Sequence, residues 1–360
     1  MTVDQLLFGY DDGHGLLAGS RTLSPKQLRD VLPHIDASFE RPDERELVGI
    51  WIPSLEGYML AQIWAAPERP RAGAVWAHAV LLSADQLRRD NLTSLLRLLQ
   101  RPSDRRREDY EKPLAYPPAQ ELILPAGPLT RAVVWAGLDA ANRPGVVLWD
   151  EPPEAENALV ALLAVMPAAA RTQFSFRTRT RARLGVASYG LQVAAVLGGT
   201  PADADELVID ARQPPPKTPP AWTILLEDSP AAARLRDFVH RYGSEHARDG
   251  AQASALATVA CMLDAGAEPQ RIIRRLIQAF PRPDEVPELR LSLLGTVHGG
   301  DGLWQIGEEQ RLALLCDHAT HFDIIGLELE QRISSLAQTH PEAALRIVER
   351  ARRSGRPAAA

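Results

Sequence analysis

The chain has 360 residues, 45% of them hydrophobic and 24% charged, with a formal net charge of −6. Length and apolar content allow two globular domains with sizeable cores, and the negative balance argues against whole-molecule attraction to nucleic acid or anionic lipid. Lys26, Lys112 and Lys217 are the only lysines, so the cations are nearly all arginine, the better bidentate partner for oxyanions. Cys261 and Cys316 are the only cysteines; they make neither a disulfide framework nor a CxxC pair, which predicts a reducing, cytoplasmic setting. Asp4, Asp11 and Asp12 interrupt any N-terminal leader pattern. The most apolar run, Ala158 to Met166, is well short of the roughly 18 residues of a membrane span, so no membrane contact is expected.

In chain order, Gln5 to Tyr10 reads as a strand, followed by an Asp/Gly turn over 11–15. Ser24 before Pro25 marks a helix start: the serine oxygen caps free amides and proline suits the first helical position. Strands over 47–52 and 58–64 flank the five-residue loop 53–57, a hairpin. A strand follows over 75–82, then a helix capped by Ser83, with helical character resuming over 92–99. The polar, charged stretch 101–120 reads as a long surface loop. Strand patterns return at 133–138 and 146–149, a helix over 155–166 closed by Pro167, and strands at 174–180, 191–197 and 207–209. Short sequential strands interspersed with helices predict α+β: a mixed, mainly antiparallel sheet domain with helices, over residues 1–210. The proline run in 211–221 is an extended linker. Beyond it the apolar period is helical, with helices at 231–242, 251–265, 269–280, 286–294, 308–318, 325–337 and 341–351. The expectation is an all-α domain over 222–355 and a disordered tail over 356–360.

Four groups of residues carry possible chemistry. His14 and His78 would meet if the first strand lay beside 75–82, and with Asp11 or Asp12 they would form an acid–base pair or metal site. The plainer alternative is one buried histidine and one turn histidine. Gly13-His14-Gly15-Leu16-Leu17-Ala18 matches the loose pattern GxGxxA, but the helix a dinucleotide fingerprint needs is broken by Gly19, Ser20 and Pro25. No GxxxxGK[ST] occurs. Cys316, His318, His321 and Asp323 bear metal-capable side chains in the spacing C-x-H-x-x-H, which is not that of a zinc knuckle. Arg177, Arg179, Arg181 and Arg183 alternate with Phe174, Phe176, Thr178 and Thr180. A strand there sets the arginines about 6.7 Å apart on one face, a basic stripe of roughly 20 Å. That stripe needs counter-charge from this fold, a partner or phosphates, or else it protects an exposed edge strand.

Three segments in order carry a resemblance: Gln5-Leu6-Leu7-Phe8-Gly9-Tyr10-Asp11-Asp12-Gly13-His14 and the residues to Ser20, then Gly73 to Ser83, then Met166-Pro167 leading to Phe174-Ser175-Phe176. They resemble the N-terminal domain of the GTPase-associated proteins of bacterial NTP-dependent conflict systems, over about residues 4–210. Gly9, Tyr10, Gly13, His14, Gly73, Val75, Trp76, His78, Ser175 and Phe176 match the family signature. Ala77 and Ala79 depart from it where the family has a threonine beside the strand histidine. The resemblance implies a non-enzymatic adaptor that couples a GTPase encoded nearby to other conflict-system proteins in defence. It carries over no catalytic residue, cofactor or metal. Two alternatives stay open: a hydrolase or nuclease using His14, His78 and Asp12, and a nucleic-acid or phosphate binder using Arg177 to Arg183.

Overall fold

The computed structural model describes residues 2–11, 13–39, 41–69, 71–89, 93–102, 107–116, 129–130, 132–133, 145–148, 152–178, 190–194, 207–210, 225, 229–295, 303, 306–322 and 328–353. Its described strands are β1 (Thr2–Tyr10), β2 (His14–Gly19), β3 (Arg45–Ile52), β4 (Gly57–Ala65), β5 (Val75–Ser83), β6 (Leu114–Ala115), β7 (Gly145–Leu148), β8 (Ser175–Thr178), β9 (Gly190–Ala194) and β10 (Leu207–Asp210). They form one sheet in the order β10-β7-β9-β8-β3-β4-β5-β1-β2, with β6 also paired to β1. The pairings from β8 through β2 are antiparallel, whereas β8, β9, β7 and β10 run parallel. The sheet is therefore mixed and mainly antiparallel, and the architecture is α+β.

Strands β4 and β5 are interior to the sheet and buried at nearly every position, which is why both read as apolar runs interrupted only by Gln62 and His78. Alternation along each strand divides the side chains between two faces. Leu7, Leu47, Leu60, Trp76 and Val80 point to one face, and Leu6, Phe8, Met59, Ala61, Ala77 and Leu81 to the other. The second face is closed by α1 (Pro25–Ile35), whose Val31 and Ile35 are fully buried in it. Ser24 and Gln27 form a reciprocal capping box at the start of α1, satisfying two backbone amides there. The β3–β4 hairpin turns through a short 3-10 segment at Pro53–Leu55, with Glu56 in the left-handed region at φ 49°.

The first face packs against α2 (Ala84–Arg89), α3 (Thr93–Leu96) and α4 (Pro152–Val165), followed by the short α5 (Ala168–Arg171). Two expectations are corrected here. The stretch 101–120 is not simply a surface loop: Tyr110 is fully buried, Gln5 Nε2 donates to the carbonyls of Asp109 and Lys112, and β6 pairs with β1. Its charged residues conceal two tyrosines, Tyr110 and Tyr116, that enter the core. Val133 is helical rather than the start of a strand; 134–138 lie outside the described residues, as do the proline-rich linker and the C-terminal tail.

The remainder is helical: α6 (Pro230–Gly243), α7 (Gly250–Asp264), α8 (Pro269–Ala279), α9 (Pro287–Leu294), α10 (Glu308–Asp317), α11 (Leu329–Thr339) and α12 (Pro341–Arg353). None of the described helices is long and apolar enough to cross a membrane. The core of the first face continues into these helices. At the junction the Ala169 amide donates to the Ser244 carbonyl at 2.9 Å, and Gly243 leaves room for Leu256 and Pro167.

Three buried arginines hold this arrangement. Arg171 donates to the carbonyls of Ala164, Met166 and Leu87. Arg290 donates to those of Phe280, Arg282, Glu285 and His321. Arg332, 1% exposed, donates to Leu294 and Gly295 and forms a two-pronged ion pair with Glu308. These acceptors lie mostly at helix C-termini, where carbonyls lack intrahelical partners and the helix dipole favours a cation. Burial lowers the Arg290 pKa to about 10, so the group remains charged.

His240 sits at the same junction. Burial, and secondarily the Arg171 guanidinium, lowers its pKa to about 4, although the Ala164 carbonyl accepts a hydrogen bond from it and Asp237 opposes the shift. The folded state therefore keeps this ring neutral while the unfolded chain protonates it near pH 6.5. Stability falls as pH drops through the window from 6.5 to about 4, by up to about 3 kcal/mol. Urea denaturation at pH 7 and pH 5 will show a smaller loss for His240→Gln than for the parent. Arg332→Leu strands two buried carbonyls and Glu308, and costs about 3 kcal/mol in the same assay.

Candidate functional site

Signature residues Gly9, Tyr10, Gly13 and His14, with Gly73 and Trp76, lie together at the β1–β2 and β4–β5 turns, at one end of the sheet, whereas Ser175 and Phe176 lie on β8. β1 and β2 form a hairpin in which Tyr10 lies directly opposite His14, so both side chains project on the α1 side. Gly13 makes the turn at φ 136°, and the Asp11 amide donates to its carbonyl at 2.9 Å. This strand at 14–19 occupies the place where a dinucleotide fold would open a helix. On the opposite face, Gly9 lets Trp76 lie flat against β1: a Cβ at residue 9 would come within 2.7 Å of the indole. The Trp76 Nε1 donates to Glu68 at 2.7 Å, and Arg101 grips both oxygens of the same carboxylate. Between β4 and β5, the turn 66–74 uses Gly73 at φ 76° and sends Arg69 over the Trp76 ring, 4.2 Å from its centroid, and Arg71 over Tyr10 at 5.5 Å.

His14 is half-buried, and its Nε2 is enclosed without a hydrogen-bond partner. Burial lowers its pKa; Asp36, just past α1, pulls the other way and Arg71 reinforces the lowering. His78 is in a different environment. It points to the first face, opposite Leu7 on β1 and Gln62 on β4, and is wholly inaccessible. Its Nδ1 accepts the Gln100 amide at 3.3 Å, and its Nε2 lies 3.1 Å from Gln5 Oε1. Both Gln5 N–H groups already donate to Asp109 and Lys112, so Oε1 is the acceptor and the ring is the Nε2–H tautomer. Tyr110 meets the same ring edge-on, with centroids 5.1 Å apart. The two histidines thus lie on opposite faces of the sheet and do not form one acid–base or metal centre. Asp12 lies outside the described residues.

The polar row through His78 continues across the buried face. Gln62 donates to Glu156 on α4 at 2.9 Å, and Arg45 makes a bidentate pair with the same carboxylate at 3.1 and 2.7 Å. Burial still leaves the Glu156 pKa raised, with Gln62 and Arg45 opposing. Nothing in the local sequence marks Glu156 as their partner, because α4 is far along the chain from the β3–β4 hairpin. Hydrophilic residues interrupting otherwise apolar strands were the available signal.

Of the arginine stripe only Arg177 is described; Arg179, Arg181 and Arg183 lie outside the described residues. Arg177 is paired with buried Glu46 and donates to the Asp36 carbonyl at 2.6 Å. β8 lies between β3 and β9, so the edge-strand reading is corrected: the strand is interior, because β9 and its neighbours extend the sheet in parallel. Phe176 packs over Gly49, where a Cβ would stand 2.2 Å from the ring, and Ser175 pairs with Gly190. Far from these, Cys316 is buried in the apolar side of α10, His318 contacts Gln270 and His321 lies 2.9 Å from the Pro281 carbonyl. No group of three metal-capable side chains converges among the described residues; Asp323 is outside them.

His78→Ala removes a linchpin between β5 and the 100–116 segment and leaves buried partners unsatisfied. It is expected to cost about 2–4 kcal/mol in urea denaturation, while His14→Ala at the half-exposed hairpin costs less than about 1 kcal/mol.

The model of the family described as GTPase-associated protein 1, N-terminal domain type 1, matches residues 2–99. No curated protein and no solved structure matches the chain. The matched stretch holds β1 to β5 and the first two signature segments, and stops before Ser175 and Phe176. Residues 2–99 are therefore similar to the N-terminal domain, type 1, of GTPase-associated protein 1, and this similarity supports a GTPase-related role.

Proposed function

We propose that this protein is a non-enzymatic adaptor that binds a partner GTPase, encoded nearby, and couples it to other proteins of a bacterial conflict system. The match of residues 2–99 to a GTPase-associated domain carries this reading. Two features of the fold support it. The signature histidines face different environments, one sealed in a hydrogen-bond network and one half-buried on the edge hairpin. The signature glycines Gly9, Gly13 and Gly73 shape the backbone at one end of the sheet, which is what a preformed docking body requires. In this proposal residues 1–210 supply that body and the helices of 222–355 a second contact surface.

An adaptor of this kind shifts its partner's equilibrium only by binding one nucleotide state more tightly than the other. Co-purification of the full chain with the GTPase from the adjacent gene, loaded with GDP or a non-hydrolysable GTP analogue, is the test. Retention is expected to differ by about tenfold or more between the two states, corresponding to roughly 1.4 kcal/mol of differential affinity. Equal retention in both states, or none in either, overturns the proposal.

A further inference from the structure

Four arginines gather at the signature end of the sheet, and the fold treats them differently. Arg101 is neutralised by Glu68 at 2.7 Å and Arg107 by Asp11 at 2.6 Å. Arg69 and Arg71 have no carboxylate within ion-pair distance among the described residues; each is instead laid over a signature ring, Trp76 and Tyr10 respectively. Stacking holds a guanidinium in place while leaving its in-plane N–H groups available to an oxyanion. Arg69 Nε is itself buried without a hydrogen-bond partner. Asp36 offsets part of the local charge at His14, but forms no ion pair with Arg71 among the described contacts. The two turns that fix this geometry depend on Gly13 and Gly73, both at positive φ.

We propose that the turn 66–74, with Arg69 on Trp76 and Arg71 on Tyr10, is the docking point for an acidic segment of the partner protein. The inference rests on the adaptor reading and specifies its contact chemistry. Trp76 and Tyr10 belong to opposite faces of the sheet, so the two cations flank its end rather than converge. Two cations on opposite faces suit two separate anionic groups better than one phosphate. A peptide segment crossing the turn with carboxylates on either side can meet both, each carboxylate taking a charge-assisted pair with one guanidinium. In a chain of net charge −6, such a local cationic end also orients an acidic partner during encounter.

The test measures binding of the full chain to two probes by calorimetry: the adjacent-gene GTPase, and an oligoglutamate peptide. Arg69→Glu/Arg71→Glu is expected to weaken both by about tenfold or more, while Arg274→Glu on the remote α8 leaves both unchanged. Unaltered thermal melts exclude a folding defect, and Arg69→Lys/Arg71→Lys, which keeps the charge, is expected to lose less. If the parent binds the GTPase and the charge reversal does not weaken it, this inference fails and the adaptor reading stands. If the GTPase does not bind but the peptide does in an arginine-dependent way, the adaptor reading fails and the acidic-segment site stands. Arginine-dependent binding of inorganic phosphate or GTP as tight as that of the peptide marks a small-anion site and overturns the inference, as does absence of peptide binding.

Discussion

Helix ends cannot be buried with bare carbonyls, and this constraint organises the molecule. Each α-helix leaves carbonyls at its C-terminus without internal partners, and leaving such a group buried and unpaired costs about 1–3 kcal/mol. Arg171, Arg290 and Arg332 answer that need with one guanidinium serving two to four carbonyls. Lysine could not substitute, because an ammonium is a compact, strongly hydrated charge, whereas the guanidinium presents five donors in a plane. The scarcity of lysine in the sequence thus has a structural counterpart: cationic groups are used inside the fold as well as on its surface.

The same economy of residues explains the signature. Gly9 exists in the shadow of Trp76, Gly13 and Gly73 take turn conformations closed to most side chains, and Tyr10 and Trp76 are platforms for arginines. The two histidines, similar as motif letters, divide into distinct jobs. His78 is a hydrogen-bonded joint between the sheet and the 100–116 segment, in a buried polar row that must be completed to be tolerated. His14 belongs to the half-buried edge hairpin. A signature built this way fixes the shape and charge of one sheet end.

The junction between sheet and helices adds a second theme. α5 and the end of α4 meet α6 through a backbone hydrogen bond, a close glycine contact at Gly243 and the Arg171–His240 neighbourhood. Two like groups, one permanently cationic and one kept neutral by burial, share that space. The helical half is therefore joined to the sheet core through a contact whose integrity depends on proton occupancy at acidic pH.

Much of the local structure was legible from residue patterns alone. The capped start of α1, the β3–β4 hairpin, the apolar runs of β4 and β5 and the helical period of the C-terminal half follow from propensity, capping and periodicity, which act over a few residues. The alternation of Phe176 and Thr178 against Arg177 was legible for the same reason. What tertiary structure decided was everything requiring contact across long stretches of chain: that β8 is interior, that Tyr110 is core, that Glu46 answers Arg177, and that His14 and His78 stand on opposite faces. A strand's period says which side chains share a face, but not which neighbour will cover that face, because pairing partners and sheet order are set by global packing.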